Sequence, residues 1–174
     1  MKVIQAKICL LGDFAVGKTS LVRRVVEGRF DDRYLSTIGV QISRKVLLRQ
    51  GTTLSLIMWD LAGGDTFAQA QRSYLSGARG ALIVCDLTRR DTLERLSQYV
   101  DSFQKANPGA VIVFAANKAD LTEAREISED DLREASKDRE GFFLTSAKTG
   151  AGVEEALSTL AWEVEARYGL RSTP

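Results

Sequence analysis

The sequence contains no histidine. That absence excludes Ser-His-Asp hydrolysis, HExxH metalloproteases, histidine-bound zinc and imidazole pH switches. Cysteine is nearly absent: Cys9 and Cys85 each sit inside an apolar run and read as buried, reduced thiols rather than a redox pair. No apolar stretch approaches the ~20 residues needed to span a bilayer. The opening Met1-Lys2-Val3-Ile4-Gln5 breaks into Ala6-Lys7 before a signal-peptide core forms. The closing Gly169-Leu170-Arg171-Ser172-Thr173-Pro174 has no cysteine to prenylate and no polybasic block. Charge of one sign is missing as well: 24 Lys and Arg against 23 Asp and Glu leave +1, so no field favours nucleic acid or an anionic membrane. Together these absences lead us to expect a cytoplasmic protein with no lipid anchor and no nucleic-acid partner.

What is present is ordinary globular material. Hydrophobic residues are 44% and charged residues 27%, with two prolines, and 174 residues suit one domain spanning 1–174. Ala6 to Leu11 reads as a strand, followed by helical spacing of Leu21, Val22, Val25 and Val26. Val40 to Leu48 and Thr53 to Asp60 flank Arg49-Gln50-Gly51-Thr52 as a hairpin. Ala81 to Asp86, Val111 to Asn117 and Phe142 to Thr145 are short apolar runs, the form of strands buried on both faces. Helical patterns cover Asp91 to Ala106, Ser128 to Lys137 and Val153 to Ala166. Strands alternating with helices predict an α/β fold with a six-stranded, mostly parallel sheet, one antiparallel edge strand and helices on both faces.

Ligands of such sheets bind beyond the carboxyl ends of the strands. Every chemically informative segment of this chain follows a predicted strand, so all fall on one rim. Gly12-Asp13-Phe14-Ala15-Val16-Gly17-Lys18-Thr19 fits G-x-x-x-x-G-K-[ST] between a strand and a helix. Backbone N–H groups over Phe14, Ala15, Val16, Gly17, Lys18, Thr19 and Ser20 would curl around phosphates, helped by the helix N-terminus, with Lys18 on the outer phosphates. The Thr19 hydroxyl suits Mg²⁺, and Asp60 in Asp60-Leu61-Ala62-Gly63 suits the other side of that ion. Gly63 leaves a backbone N–H for the terminal phosphate. Asn117-Lys118-Ala119-Asp120 addresses the base, because one carboxylate can accept both adjacent N–H donors of guanine, whereas adenine would leave Asp120 desolvated and unpaired. Lys118 can lay its stem along the base, Asn117 can tie loops together, and Ser146-Ala147-Lys148 can offer a backbone N–H near the guanine oxygen.

These motifs, in order over about Lys7 to Tyr168, resemble the Ras superfamily of small GTPases, most closely its Rab-like branch, and a prokaryotic relative would fit. Trp59-Asp60-Leu61-Ala62-Gly63 is similar to the W-D-T-A-G of Rab proteins, with Leu61 for threonine. The resemblance implies a P-loop NTPase that binds GTP and GDP with Mg²⁺, hydrolyses GTP and switches its loops with the terminal phosphate. It also implies that Thr37, within Tyr34-Leu35-Ser36-Thr37-Ile38-Gly39-Val40, ligates Mg²⁺ and contacts that phosphate. By the same resemblance Phe30 stacks on the base and Tyr34 closes over the phosphates. Lys18, Thr37 and Gly63 then carry the chemistry, with Thr19, Thr37 and Asp60 around the metal. A protein effector is expected at Ile42, Trp59 and Tyr74 and the neighbouring loops, alongside an exchange factor and an activating protein.

Departures matter as much. Where the family carries a glutamine that orients water, this chain has Gly64 followed by Asp65, so hydrolysis should be slow. Phe14 is bulky at a position often small, near the terminal phosphate, where it would obstruct an inserted arginine. Asp65, Gln69, Gln71 and Arg33 are weighed as substitutes and none is chosen. The pairs Arg23-Arg24 and Arg89-Arg90 read as solvated faces, and Ser128-Glu129-Asp130-Asp131 as a helix cap. Two rivals stand beside a slow GTPase: a recruitment module that holds GTP without turnover, favoured by Gly64, and an ATP-using P-loop kinase, opposed by Asp120.

Overall fold

The computed structural model describes residues 2–28, 39–64, 73–136, 139 and 141–169. In chain order these form β1 (Lys2–Gly12), α1 (Lys18–Glu27), β2 (Val40–Arg49), β3 (Thr52–Leu61), β4 (Gly80–Asp86), α2 (Arg90–Glu94), α3 (Leu96–Ala106), β5 (Val111–Asn117), α4 (Glu129–Ala135), β6 (Phe142–Leu144) and α5 (Val153–Arg167). The six strands lie in the order β2-β3-β1-β4-β5-β6. Only β2 runs antiparallel, on the sheet edge, joined to β3 by a tight turn in which Gly51 supplies φ 72°. The expected α/β architecture, with its single antiparallel edge strand, is what the chain forms.

Alternation along β1 explains why the sheet carries a core on each face. Ile8 and Leu10 face a cluster with Leu21 and Val22 of α1 and Leu157 and Leu160 of α5. Their neighbours Cys9 and Leu11 face the opposite cluster, with Phe103 of α3, Leu132 of α4 and Ile127. Strand side chains point alternately up and down, so a strand covered on both sides has no polar register left to fill. β4 accordingly is buried at all seven positions. Burial of each large side chain such as Phe103 or Leu160 contributes about 1.5–3 kcal/mol. Both cysteines are buried and free, and burial pushes each thiol up to about 12, which makes them apolar filling rather than nucleophiles.

Two expectations need correction. The helix read across 91–106 is two helices, interrupted at Arg95, whose ψ of −6° departs from helical geometry. β6 is not buried on both faces: Phe142 and Phe143 are half-buried and Leu144 is exposed, because β6 is the other edge strand. The cap at Ser128 forms as read. Its hydroxyl accepts the Asp131 N–H while Asp131 accepts the Ser128 N–H, a reciprocal pair that satisfies the first turn of α4.

The sheet positions the site through its connectivity. From β1 the chain goes to one face with α1, and from β4 to the other with α2 and α3, so a crevice opens where the two directions part.

Candidate functional site

The loop from β1 to α1 bends around its own carbonyls. Lys18 is buried, and its Nζ donates to the carbonyls of Gly12 (2.9 Å) and Asp13 (3.0 Å). Arg89 Nη1 donates to the Phe14 carbonyl at 2.6 Å, and Asn117 Nδ2 to the Val16 carbonyl at 3.0 Å. Four carbonyls of one loop are thus held by side chains arriving from α1, the start of α2 and the end of β5. A trans peptide points its N–H opposite to its C=O, so holding the Phe14 and Val16 carbonyls also fixes the Ala15 and Gly17 N–H groups on the far side of each peptide. Ala15 sits at φ 60° and Gly17 at φ 100°, the left-handed conformations that such an anion-binding nest requires. Glycine is needed at position 17 for a second reason: a Cβ there would lie 2.3 Å from Asn117 Nδ2.

Burial lowers the Lys18 pKa to about 8; the Asp60 and Asp13 carboxylates oppose that shift and Arg89 adds to it. Beside it, Thr19 Oγ1 donates to Asp60 Oδ2 at 2.5 Å, joining the start of α1 to the end of β3. A hydroxyl and a carboxylate side by side are hard oxygen donors of the type Mg²⁺ selects. Among the described residues no group of three or more Cys, Asp or Glu could enclose a metal unaided, so a cation here would need oxygens from a ligand or water. Gly63 packs onto the phosphate-loop wall so closely that a Cβ would fall 2.4 Å from the Gly12 carbonyl oxygen and 2.8 Å from Phe14 N. Gly64 follows at φ 75°, its N–H donating to Tyr99 Oη at 3.1 Å.

At the other end of the crevice Asn117 is buried and joins three segments. Besides Val16 it accepts from Thr145 Oγ1 (3.2 Å) and from the Ala147 N–H (3.3 Å). Ser146 Oγ donates to Asp120 Oδ1 at 2.7 Å and fixes that carboxylate. Lys118, at φ 65°, sends its ammonium to the fully buried Asp86 at 2.6 Å. Asp86 in turn accepts from the N–H and hydroxyl of Thr88. The Lys118 stem is therefore tied down at its tip. Lys148 is exposed, and Ser20 lies half-buried in the first turn of α1.

The sequence-derived residues Gly12 to Ser20, Asp60, Gly63, Asn117, Lys118, Asp120 and Ser146 to Lys148 all come to this one rim. Phe30, Arg33, Tyr34, Thr37, Asp65, Gln69 and Gln71 lie outside the described residues. Of the expected partner surface, Ile42 is 56% exposed, but Trp59 and Tyr74 are half-buried, not exposed anchors. The Trp59 ring lies 6.2 Å from that of Tyr74 and carries the Lys7 ammonium 3.7 Å from its centroid. Phe14 is 52% exposed, at the rim.

Of the arginine pairs expected on solvated faces, Arg90 is exposed as expected, whereas Arg23, Arg24 and Arg89 are half-buried. Arg89 serves the phosphate loop, and Arg90 pairs with Asp131 at 2.8 Å. Arg24 donates to the carbonyls of Ala147 (2.9 Å) and Lys148, bracing the loop after β6 from behind. Arg95 pairs with the buried Asp13 at 2.9 Å, and Asp13 accepts the Phe14 N–H at 2.9 Å. None of these arginine contacts has a local sequence signal, since each joins residues far apart in the chain. A family comparison agrees with this architecture: residues 7–166 match the Ras family model, and the chain belongs to the Ras family of GTP-binding small GTPases.

Proposed function

We propose that the rim residues named above bind GTP and GDP with Mg²⁺, and that the chain hydrolyses GTP slowly. The observation that carries this reading is the meeting of buried Lys18 with the Thr19–Asp60 pair beside a loop whose Gly12, Asp13, Phe14 and Val16 carbonyls are all held by side chains. Such a loop offers main-chain N–H groups to phosphate, and Lys18 adds a buried cation. Thr19 and Asp60 would hold Mg²⁺, which when bound neutralises charge on the outer phosphates. By family resemblance Thr37 completes that set. Gly63, pressed against Phe14, would present its N–H to the terminal phosphate. Asp120, aimed by Ser146, supports guanine over adenine, with Asn117 joining the loops that surround the base.

Hydrolysis requires water in line with the terminal phosphate, and Gly64 has no side chain to place it. Lys18 and the loop amides stabilise developing charge without orienting the nucleophile, so turnover should be low. The alternative is a recruitment module with negligible hydrolysis, favoured by Gly64 and by Phe14 standing at the rim. In either case the hairpin surface around Ile42, Trp59 and Tyr74 is the proposed effector contact, with exchange factor and activating protein as further partners. Rab-like affinity, supported by Trp59-Asp60-Leu61-Ala62-Gly63, and a cytoplasmic setting complete the reading; among the described residues no helix is long and apolar enough to cross a membrane.

Mass spectrometry of the nucleotide carried by the purified chain tests binding, and single-turnover phosphate release from preloaded GTP separates the two readings. Guanine nucleotide on the protein with phosphate released over hours supports the slow enzyme. An empty chain indifferent to guanine nucleotides would sink the proposal.

A further inference from the structure

Three of the four braced carbonyls of the phosphate loop are held by residues of the recognised motifs, Lys18 and Asn117. The fourth, that of Phe14, is held by Arg89, which no motif includes. Phe14 C=O and Ala15 N–H belong to one peptide unit, so whatever fixes the carbonyl also aims the amide. A guanidinium on a carbonyl is a charge-assisted bond, and it polarises the peptide so that the N–H at its far side becomes a better donor. The other side of Phe14 is fixed as well. Its N–H is taken by Asp13 Oδ1, and Asp13 Oδ2 is neutralised by Arg95 at 2.9 Å. Residue 14 is therefore clamped at both its N–H and its C=O, while Ala15, next along, is held at φ 60°. A non-glycine residue at positive φ is strained and persists only where its surroundings impose it.

We propose that Arg89 is a positioning residue for triphosphate binding, holding the Phe14 carbonyl outward so that the Ala15 N–H faces the terminal phosphates. The end of the loop concerned is the one against Gly63, whose missing Cβ would lie 2.8 Å from Phe14 N. Loss of the brace should therefore be felt more by GTP than by GDP. This inference rests on the GTP-binding reading above.

The test uses the full chain as R89A, R89Q, R89K and, as a charge control, R90A, whose arginine pairs with Asp131 instead. Affinities for fluorescent GTP and GDP analogues are measured with Mg²⁺, alongside thermal unfolding at saturating GDP. The expected result is a loss of GTP affinity relative to GDP of roughly tenfold in R89A and R89Q. R89K should recover part of that loss, R90A should leave the ratio unchanged, and the unfolding temperatures should stay close together. Equal weakening of both nucleotides, accompanied by a lowered unfolding temperature, would show a structural role only and overturn the inference. So would a ratio in R90A that shifts as far as in R89A, since that would report overall charge. If R89A does not fold, R89Q and R89K decide on the same ratio. A wild-type chain that binds neither nucleotide fails the GTP-binding reading itself, whereas a wild type that binds both with an unmoved ratio in every Arg89 variant fails this inference alone.

Discussion

The two ends of the crevice are built from different materials. At the end proposed for the base the polar groups are side chains held by side chains: Ser146 on Asp120, Thr145 on Asn117, Asp86 on Lys118. At the end proposed for phosphate the loop offers main-chain amides, and the side chains of Lys18, Arg89 and Asn117 hold its carbonyls. The difference suits the proposed ligand. A purine edge has a fixed pattern of donors and acceptors that a carboxylate can match and a wrong base cannot. A polyphosphate is a diffuse anion, for which several preset N–H groups serve better than one side chain. Changes at the base end should therefore alter which nucleotide binds, and by equal amounts for GTP and GDP. Changes at the phosphate end should alter the balance between GTP and GDP, or the rate.

The largest expected effect is at the base end. Asp120→Asn exchanges an acceptor for a donor opposite the two guanine N–H groups, and GDP affinity should fall by about 10³-fold or more. Xanthine nucleotides, which present an acceptor there, should gain in preference. Competition titrations with GDP and xanthosine diphosphate read both outcomes, and unchanged guanine affinity would contradict the base assignment. The phosphate end comes next. Lys18→Gln removes a buried cation and two carbonyl braces at once, and GTP affinity should fall by about 10². The same titration would show a smaller loss for GDP.

A third substitution separates rate from affinity. Gly64→Gln restores a side chain able to orient water, a contribution worth about 10²–10⁴ where geometry is right. Here the backbone sits at φ 75°, which glutamine adopts only with strain, so single-turnover hydrolysis should rise by about tenfold rather than the full amount. Nucleotide affinity should hardly change. A flat rate would shift attention to Phe14, half-exposed at the same rim.

Much of this was legible in the chain because two signals are local. Apolar runs at β4 and β5 announce strands covered on both faces, and the glycine spacing around Lys18 announces a loop between strand and helix. What stayed hidden is tertiary. Arg24 meets residues 147 and 148, and Arg89 meets Phe14 across 75 positions, so an arginine in a polar segment looks solvated until the fold brings a carbonyl to it. The break at Arg95 was hidden too: apolar spacing over 91–106 suits one helix, yet the backbone turns at Arg95, whose guanidinium pairs with buried Asp13. The half-burial of Trp59 and Tyr74 was equally invisible, since aromatic residues on a strand and near a loop give no hint of how deeply neighbours cover them.

The smallest effect sharpens the comparison most. Ser146 neither enters the phosphate loop nor carries charge; its hydroxyl donates to Asp120 and accepts the Thr149 N–H at 3.1 Å. Ser146→Ala leaves the carboxylate in place but free to turn, which costs about one neutral-to-charged hydrogen bond's worth of order, a loss of roughly fivefold in affinity. Because the base is common to both nucleotides, GTP and GDP should weaken by the same factor. The single-turnover rate of GTP already bound should not move, since no group at the base end touches the reacting phosphate. A variant that instead changed the GTP-to-GDP ratio would mean that the two ends are mechanically coupled. A buried side chain placed to carry such coupling is Asn117, which touches the phosphate loop at Val16 and the base loop at Ala147 together.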